Sequence, residues 1–401
     1  MLNQVLRSSV EKLVDQVIPE VIEIRRDIHR HPELAFKEQR ASSRVQDWLK
    51  ANGIEVRTGM AETGVIGLLR GSGNRTVGLR AEMDALPITE ETGVSYTSEN
   101  QGISHACGHD GHLAIVMGTA KILSMLRSKL NGNVKFIFQP AEEAGNGAEK
   151  MCNEGTLNDP PVNTVFALHS WPDLSAGEIG IRYGAMMASA EDFELTIYGK
   201  GGHAAHPHKA IDPIVMSAKV VESFQTIISR RIKPLAPAVL TIGKIEGGSA
   251  PNVIPDSVFL SGTVRAFDEE TRERIFTEMT RVIESVAHMF QAPPPKMKII
   301  ERIPPTINDD RMADLVIRVG KAVLGEDKVK TLPEPSMGAE DFSFYLQRVP
   351  GAIFRLGVDS PGSSHAYLHS SRFNFNDDAI RTGLQMMTSI ALDSLSTNSV
   401  T

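Results

Sequence analysis

The sequence predicts an α/β fold: a mixed, mostly parallel sheet, interrupted midway by an inserted α+β domain of the ferredoxin-like type. Three observations carry this. Short apolar runs alternate with amphipathic helical patterns up to about residue 187 and again after about 300, as in sheets covered by helices on both faces. Between them, 188–300 reads as βαββαβ, the split ferredoxin-like order. Three successive strand-like runs also finish in residues able to hold a metal or a proton: Asp84, the Glu142–Glu143 pair, and His169. In parallel sheets the working edge lies outside the carboxyl ends of the strands.

The elements follow in order. Residues 9–31 carry Leu13, Val17, Val21, Ile24 and Ile28 at helical spacing, and Pro19 is expected to break or bend that helix. His29 and His31 at its end read equally as ligands or as a structural pair. A second helix covers 38–52. Thr76–Ala81 is a buried strand running into Glu82, Met83 and Asp84. After a histidine-rich loop, 112–130 forms a helix with Leu113, Val116, Ala120 and Leu123 on one face. The run 133–138 is a strand leading to Glu142 and Glu143, a helix covers 146–154, and 164–168 is a strand ending at His169.

In the insert, 191–198 alternates with Phe193, Leu195 and Ile197 on one face, as in a half-buried strand. A helix with Ile211, Ile214, Val215, Ala218, Val221 and Ile228 as its apolar stripe follows. Strands at 237–245 and 256–266, a helix carrying Ile275, Met279, Val282 and Val286, and a strand at 296–302 complete it. From about 310 the first pattern resumes: a helix at 309–324, the start of another at Met337–Phe342, a strand at 352–357, and a last helix at 376–394. The expected domains are therefore 1–187 with 301–401, and 188–300.

Composition narrows the function classes. With 42 basic and 49 acidic residues the net charge is −7, and no long basic run occurs, which argues against nucleic acid and against an anionic membrane surface. The first residues lack the apolar core of a signal peptide, and no apolar run reaches the roughly 20 residues of a membrane span. Cys107 and Cys152 are the only cysteines, too few for a disulfide framework, so a reducing cytoplasmic location is expected.

Ser104–His112 holds three histidines, an aspartate and Cys107. It reads either as a polar loop capping the next helix or as a metal site; the convergence of three strand ends favours the metal. Cys107 and His109 are two apart, so in an extended segment they leave the same face. With Glu143 or Glu142, His169 and His369 there are donors for two divalent ions. The mixed N, O and S set suits manganese or zinc, with nickel or cobalt also compatible. Such a pair acidifies a bridging water to a hydroxide and polarises an amide carbonyl. Of two adjacent glutamates at a strand end, one can bind metal while the other shuttles the proton.

Seven motifs then occur in order along the chain: HACGHDGH, QPAEEAGNGA, ALHSWP, GKGGHAAHPH, NVIPD, MGAEDFSFY and LHSSRFNFND. Together they resemble the aminoacylase/carboxypeptidase clan of dinuclear metallo-amidohydrolases, most closely the branch of hippurate hydrolases and indole-3-acetyl amino-acid hydrolases. The resemblance implies a zinc-peptidase-like catalytic domain with an inserted lid and dimerisation domain. It assigns metal binding to Cys107, His109, Glu143, His169 and His369, with Cys107 bridging where other branches use aspartate. It favours His369 over His365, and makes Glu142 the general acid/base. Asp84 resembles an aspartate that orients a metal-binding histidine, although Glu82 stands near where that histidine would be.

In the lid, His203 matches a histidine that polarises the scissile carbonyl, often from a partner subunit. Asn252 and Arg265 resemble residues holding the substrate carboxylate. The plainer alternatives are a polar turn for His203 and an ion pair for Arg265. His105, His112 and Asp110 are expected to support the ligands, and Cys152 to be a buried thiol. Ser104, Glu82 and Ser371 depart from the branch pattern.

The implied reaction is hydrolysis of an N-acyl or N-aroyl amino acid, in a homodimer or homotetramer formed through the lid. The alternatives are a dipeptidase or carboxypeptidase of the same fold, a Cys107-nucleophile hydrolase, and an inactive binding protein.

Overall fold

The computed structural model describes residues 4–359 and 366–396; His365 lies outside them. In chain order the helices are α1 Gln4–Arg30, α2 Gln39–Ala51, α3 His109–Met125, α4 Gly147–Asn153, α5 Pro213–Arg231, α6 Glu269–Met289, α7 Asp310–Leu324, α8 Ser343–Leu346 and α9 Ala379–Ser396. The principal strands are β1 Glu55–Met60, β2 Gly64–Leu69, β3 Thr76–Glu82, β4 Asn133–Gln139, β5 Thr164–Ser175, β6 Ile179–Ile181, β7 Ala190–Tyr198, β8 Ala238–Glu246, β9 Ser257–Ala266, β10 Lys296–Ile303, β11 Val329–Thr331 and β12 Gly351–Asp359. No described helix is long and apolar enough to cross a membrane.

The chain divides into two compact units. The first comprises 1–186, 307–334 and 341–401. Its sheet runs β1-β2-β4-β3-β5-β12-β6-β11. The central strands β4, β3, β5 and β12 are mutually parallel, while β1, β2 and the β6–β12 pair are antiparallel, so the sheet is mixed. Every residue of β2, β3 and β4 is buried, which is why these strands read as unbroken apolar runs. Glu82 pairs with Gln139 at the ends of β3 and β4, and Arg355 pairs with His169 between β12 and β5. That register delivers the residues after β3 and β4, and His169 on β5, to the same edge.

Three expectations are corrected here. α1 continues through Pro19; the ring removes one backbone donor, but Val10, Val14, Val17, Val21, Ile24 and Ile28 form one buried stripe on either side, and that packing holds the helix. α3 starts at His109, three residues before the expected 112, and is buried on almost every side, so its polar first turn faces protein rather than solvent. The segment at 337–342 does not open a helix; only Ser343–Leu346 is helical. The β1–β2 hairpin was not expected from the sequence.

The second unit comprises 187–306 and 335–340. Its sheet runs β8-β9-β7-β10 and every neighbouring pair is antiparallel. Numbered within the unit, this is 2-3-1-4, the order of the ferredoxin-like βαββαβ arrangement. Phe193, Leu195 and Ile197 of β7 meet Val220, Phe224 and Ile227 of α5 and Ile275 and Met279 of α6 in one core. Asp212 caps α5 by accepting from Ile214 N at 2.9 Å, and Asp268 caps α6 by accepting from Thr271 N at 2.7 Å. The later segment joins this unit because Ala188 N donates to the carbonyls of Ser336 and Gly338.

Candidate metal centre

The site is built at the carboxyl edge of β3, β4 and β5. Gly108 takes φ 86°, a left-handed conformation open to glycine, and a Cβ there would come within 2.6 Å of Ser170 Oγ. This turn places Cys107 just before α3 and His109 as its first residue, so the two meet across a helix start. The extended segment expected from their spacing is not formed.

His109 directs Nδ1 to the Asp84 carbonyl oxygen at 2.9 Å, with Asp84 Oδ1 at 3.5 Å. Its Nε2 is buried and has no hydrogen-bond partner among the described residues. His169 uses Nδ1 on the Ser170 carbonyl at 2.9 Å, which leaves Nε2 3.5 Å from Cys107 Sγ. Glu142 and Glu143 follow Ala141, whose φ of 54° turns the chain at the end of β4. Glu38 holds that turn by accepting from Ala141 N at 2.9 Å, and Asp84 Oδ2 accepts from Glu143 N at 2.9 Å. Both glutamates lie 3.9 Å from His109 Nε2. His369, also at positive φ (64°), donates its backbone N–H to the Ala106 carbonyl and sets Nε2 3.2 Å from Glu143 Oε1.

All five proposed ligands therefore meet. Cys107, His109 and His169 form one group with ligand atoms within 4.8 Å of one another, and Cys107, Glu143 and His369 form a second. Cys107 is the vertex they share. The electrostatics suit a cation. Burial opposes charge on His109, yet Asp84, Glu82 and Glu143 raise it to about 10. Burial, then Glu143 and Glu142, push the Cys107 thiol well up. A cluster with this much negative charge, an orphaned imidazole nitrogen and mixed S, N and O donors fits divalent metal ions, which bind as protons leave.

Around the ligands lies a support layer. His112 Nδ1 bonds Glu82 Oε2 at 3.0 Å and its Nε2 accepts from Ser170 N at 2.8 Å, so neither nitrogen is available to a metal. Ser170 Oγ donates to the Cys107 carbonyl at 2.7 Å. Glu82 is paired to fully buried Arg80, which also donates to Gln139 and, at 2.8 Å, to Asp341. Asp110 binds Arg25 Nε at 2.7 Å and His29 Nδ1 at 2.8 Å, and these two hold it well below the usual carboxylate range despite burial. His29, in the last turn of α1, is thus a structural histidine. His31 bonds the Asp27 carbonyl and takes no place in the centre. The supporting Ser170, Glu38, Arg80 and Asp341 were not singled out from the sequence.

The other predicted residues lie in the second unit. His203 pairs with Val253 in a short antiparallel ladder, and Ala204 N bonds the Asn252 carbonyl at 3.0 Å, so His203 and Asn252 are neighbours. His203 is exposed, its Nδ1 accepting from Ala205 N at 3.0 Å. Arg265 is at the far end of β9, opposite Val239. The ladder of β7 with β9 spans the gap, and the eight residue steps along β9 from Ser257 to Arg265 alone measure roughly 25 Å. The structure does not bring Arg265 to His203 and Asn252.

A sequence model of Peptidase family M20/M25/M40 matches residues 78–393. The chain belongs to that family. Its M20 relatives include an N-acetyl-L-cysteine deacetylase of Bacillus subtilis, 38% identical over 94% of this chain and 87% of that one. They also include an IAA-amino acid hydrolase, ILR1-like 2, of Arabidopsis thaliana, 38% identical over 95% of this chain and 86% of that one. Among solved structures, the Bacillus subtilis YXEP protein, described as a dinuclear metal binding peptidase from the M20 family, superposes with TM-score 0.84 at 33% identity, covering 96% of this chain and 99% of that one. This M20 chain is accordingly an enzyme of the metallo-amidohydrolase type.

Proposed function

We propose that this M20 enzyme hydrolyses the amide of N-acyl or N-aroyl amino acids with two divalent ions, held by Cys107, His109 and His169 on one side and by Cys107, Glu143 and His369 on the other. The observation that carries this is the shared Cys107 vertex of two three-donor groups. Such ions, for which manganese and zinc are the first candidates, would supply Lewis acidity to the amide carbonyl and acidify water.

The chain's own residues do the rest. Glu142 removes a proton from the attacking water and returns it to the amide nitrogen as that bond breaks, a base turned acid. Asp84 fixes the His109 tautomer, and Ser170 with His112 holds Cys107 and His169 in place. Arg265, His203 and Asn252 engage the substrate from the second unit. A molecule the size of an acyl amino acid cannot touch both ends of the β7–β9 ladder, so His203 and Asn252 serve one site and Arg265 another, as in a dimer formed through this unit. A Cys107-nucleophile mechanism is the second reading, and it differs in needing no metal, so exhaustive chelation separates the two.

The test is metal analysis of the purified protein with turnover of a panel of N-acyl amino acids and dipeptides. The expected result is two equivalents of divalent metal per chain, hydrolysis of acyl amino acids ahead of dipeptides, and loss of activity on exhaustive chelation with recovery on adding manganese or zinc. Full activity after chelation overturns the metal mechanism; preference for dipeptides moves the reading to a peptidase.

A further inference from the structure

Arg355 interrupts the apolar run 352–358 of β12 and is 7% exposed. Its guanidinium carbon lies 3.4 Å from the centroid of the Trp171 ring. Nε and Nη2 are both buried and neither has a hydrogen-bond partner among the described residues. Burial lowers its pKa to about 10, which Tyr367 and Asp173 only partly offset. Leaving charged donors buried and unmet is costly, more so than burying an apolar side chain of the same shape. Nε–H and the adjacent Nη2–H form one edge of the guanidinium fork, the edge that matches both oxygens of a carboxylate.

The position is as informative as the missing partner. Arg355 pairs in register with His169, so the two side chains share one face of the sheet, and Trp171, two residues beyond His169, shares it too. Tyr367 packs its ring 5.8 Å from that of Trp171 and lies two residues before His369. Arg355 thus stacks on the same Trp171 ring that Tyr367, two residues before His369, packs against. We propose that Arg355, seated on Trp171, is an anion subsite of the catalytic unit that receives a substrate carboxylate on its Nε–Nη2 edge.

This deepens the acyl-amino-acid reading and rests on it. The carboxylate belongs either to the amino acid or to an acidic acyl chain. The metal-loaded wild type, Arg355→Met and Arg355→Lys are compared on three substrates: N-acetylphenylalanine, N-succinylphenylalanine amide and the neutral N-acetylphenylalanine amide. The expected result for Arg355→Met is a KM raised about 10- to 100-fold on the substrate whose carboxylate it reads, with kcat little changed and the neutral amide unaffected. An effect on the first substrate names the amino acid as the source; an effect on the second names the acyl chain. Arg355→Lys is expected to recover part of the loss.

Calorimetric titration of phenylalanine and succinate into the same proteins gives a readout free of turnover. Binding of one of them that weakens at least tenfold in Arg355→Met supports the subsite even if no acyl amino acid is hydrolysed, an outcome that would sink only the hydrolase reading. Equal kinetic losses on all three substrates, or unchanged binding of both acids, overturn the subsite. Thermal unfolding separates a structural role: Arg355→Met should melt at or above the wild-type temperature, whereas a clear drop with uniform losses makes Arg355 a prop for Trp171 and overturns the proposal.

Discussion

Ser170 shows how the centre is controlled by residues that never touch it. Its N–H fixes His112, its hydroxyl fixes the Cys107 carbonyl, and its own carbonyl fixes His169. One serine therefore orients a member of both donor groups. Ser170→Ala should keep the fold, since the hydroxyl contributes about 1 kcal/mol net, yet loosen Cys107; outer partners of this kind are worth about 10–100-fold in metal affinity. Competition with a chromogenic chelator measures this, and an unchanged affinity would show that the Cys107 carbonyl needs no tether. Glu142 is the contrasting case. Glu142→Gln should retain both metals while kcat falls by about 10²–10⁴-fold, read by metal analysis beside steady-state rates. If turnover survives, another group carries the proton.

Legibility differed with the kind of element. The ligands on β4 and β5 could be read because buried parallel strands are apolar runs, so a Glu-Glu or a His at the end of one stands out. The start of α3 could not. Amphipathic reading assumes that polar residues face water, whereas His109, Asp110 and His112 face buried partners. Ser170 and Glu38 left no local signal either, because the bonds by which they hold His112, Cys107 and Ala141 reach about 60 to 100 residues along the chain. The close fit around α3 yields its own prediction. A Cβ on Gly111 would lie 2.4 Å from Phe375 Cε2, in a ring that is 1% exposed. Helix propensity favours alanine by about 1 kcal/mol, but overpacking costs about 1–3 kcal/mol, so Gly111→Ala should be neutral to destabilising and should weaken metal binding by shifting the turn that carries His109. Denaturant midpoints with and without metal test it; stabilisation would mean that the Phe375 ring yields freely.

At the scale of the whole molecule, the chain packs as two compact units, and each offers its own test. In the second unit, burial raises Glu191 from 4.5 to about 7 against the pull of Arg272. The folded chain then holds a proton that the unfolded chain has released, so this group's contribution is most favourable below about pH 4.5 and is lost as pH rises to about 7. Glu191→Gln should flatten that part of the stability profile, seen as the difference in urea midpoints across pH. The opposed ends of the β7–β9 ladder make a stronger demand. If His203 and Asn252 serve a partner's centre, Glu142→Ala and His203→Ala homodimers are both inactive, but a mixed dimer contains one site with an intact Glu142 and an intact His203. Random re-association of equal amounts makes about half the dimers mixed, each with one good site of two, so about a quarter of wild-type activity should return. Mixing without recovery, once exchange is verified by mass, would place His203 in the service of its own chain and leave Arg265 to be the residue that reaches across.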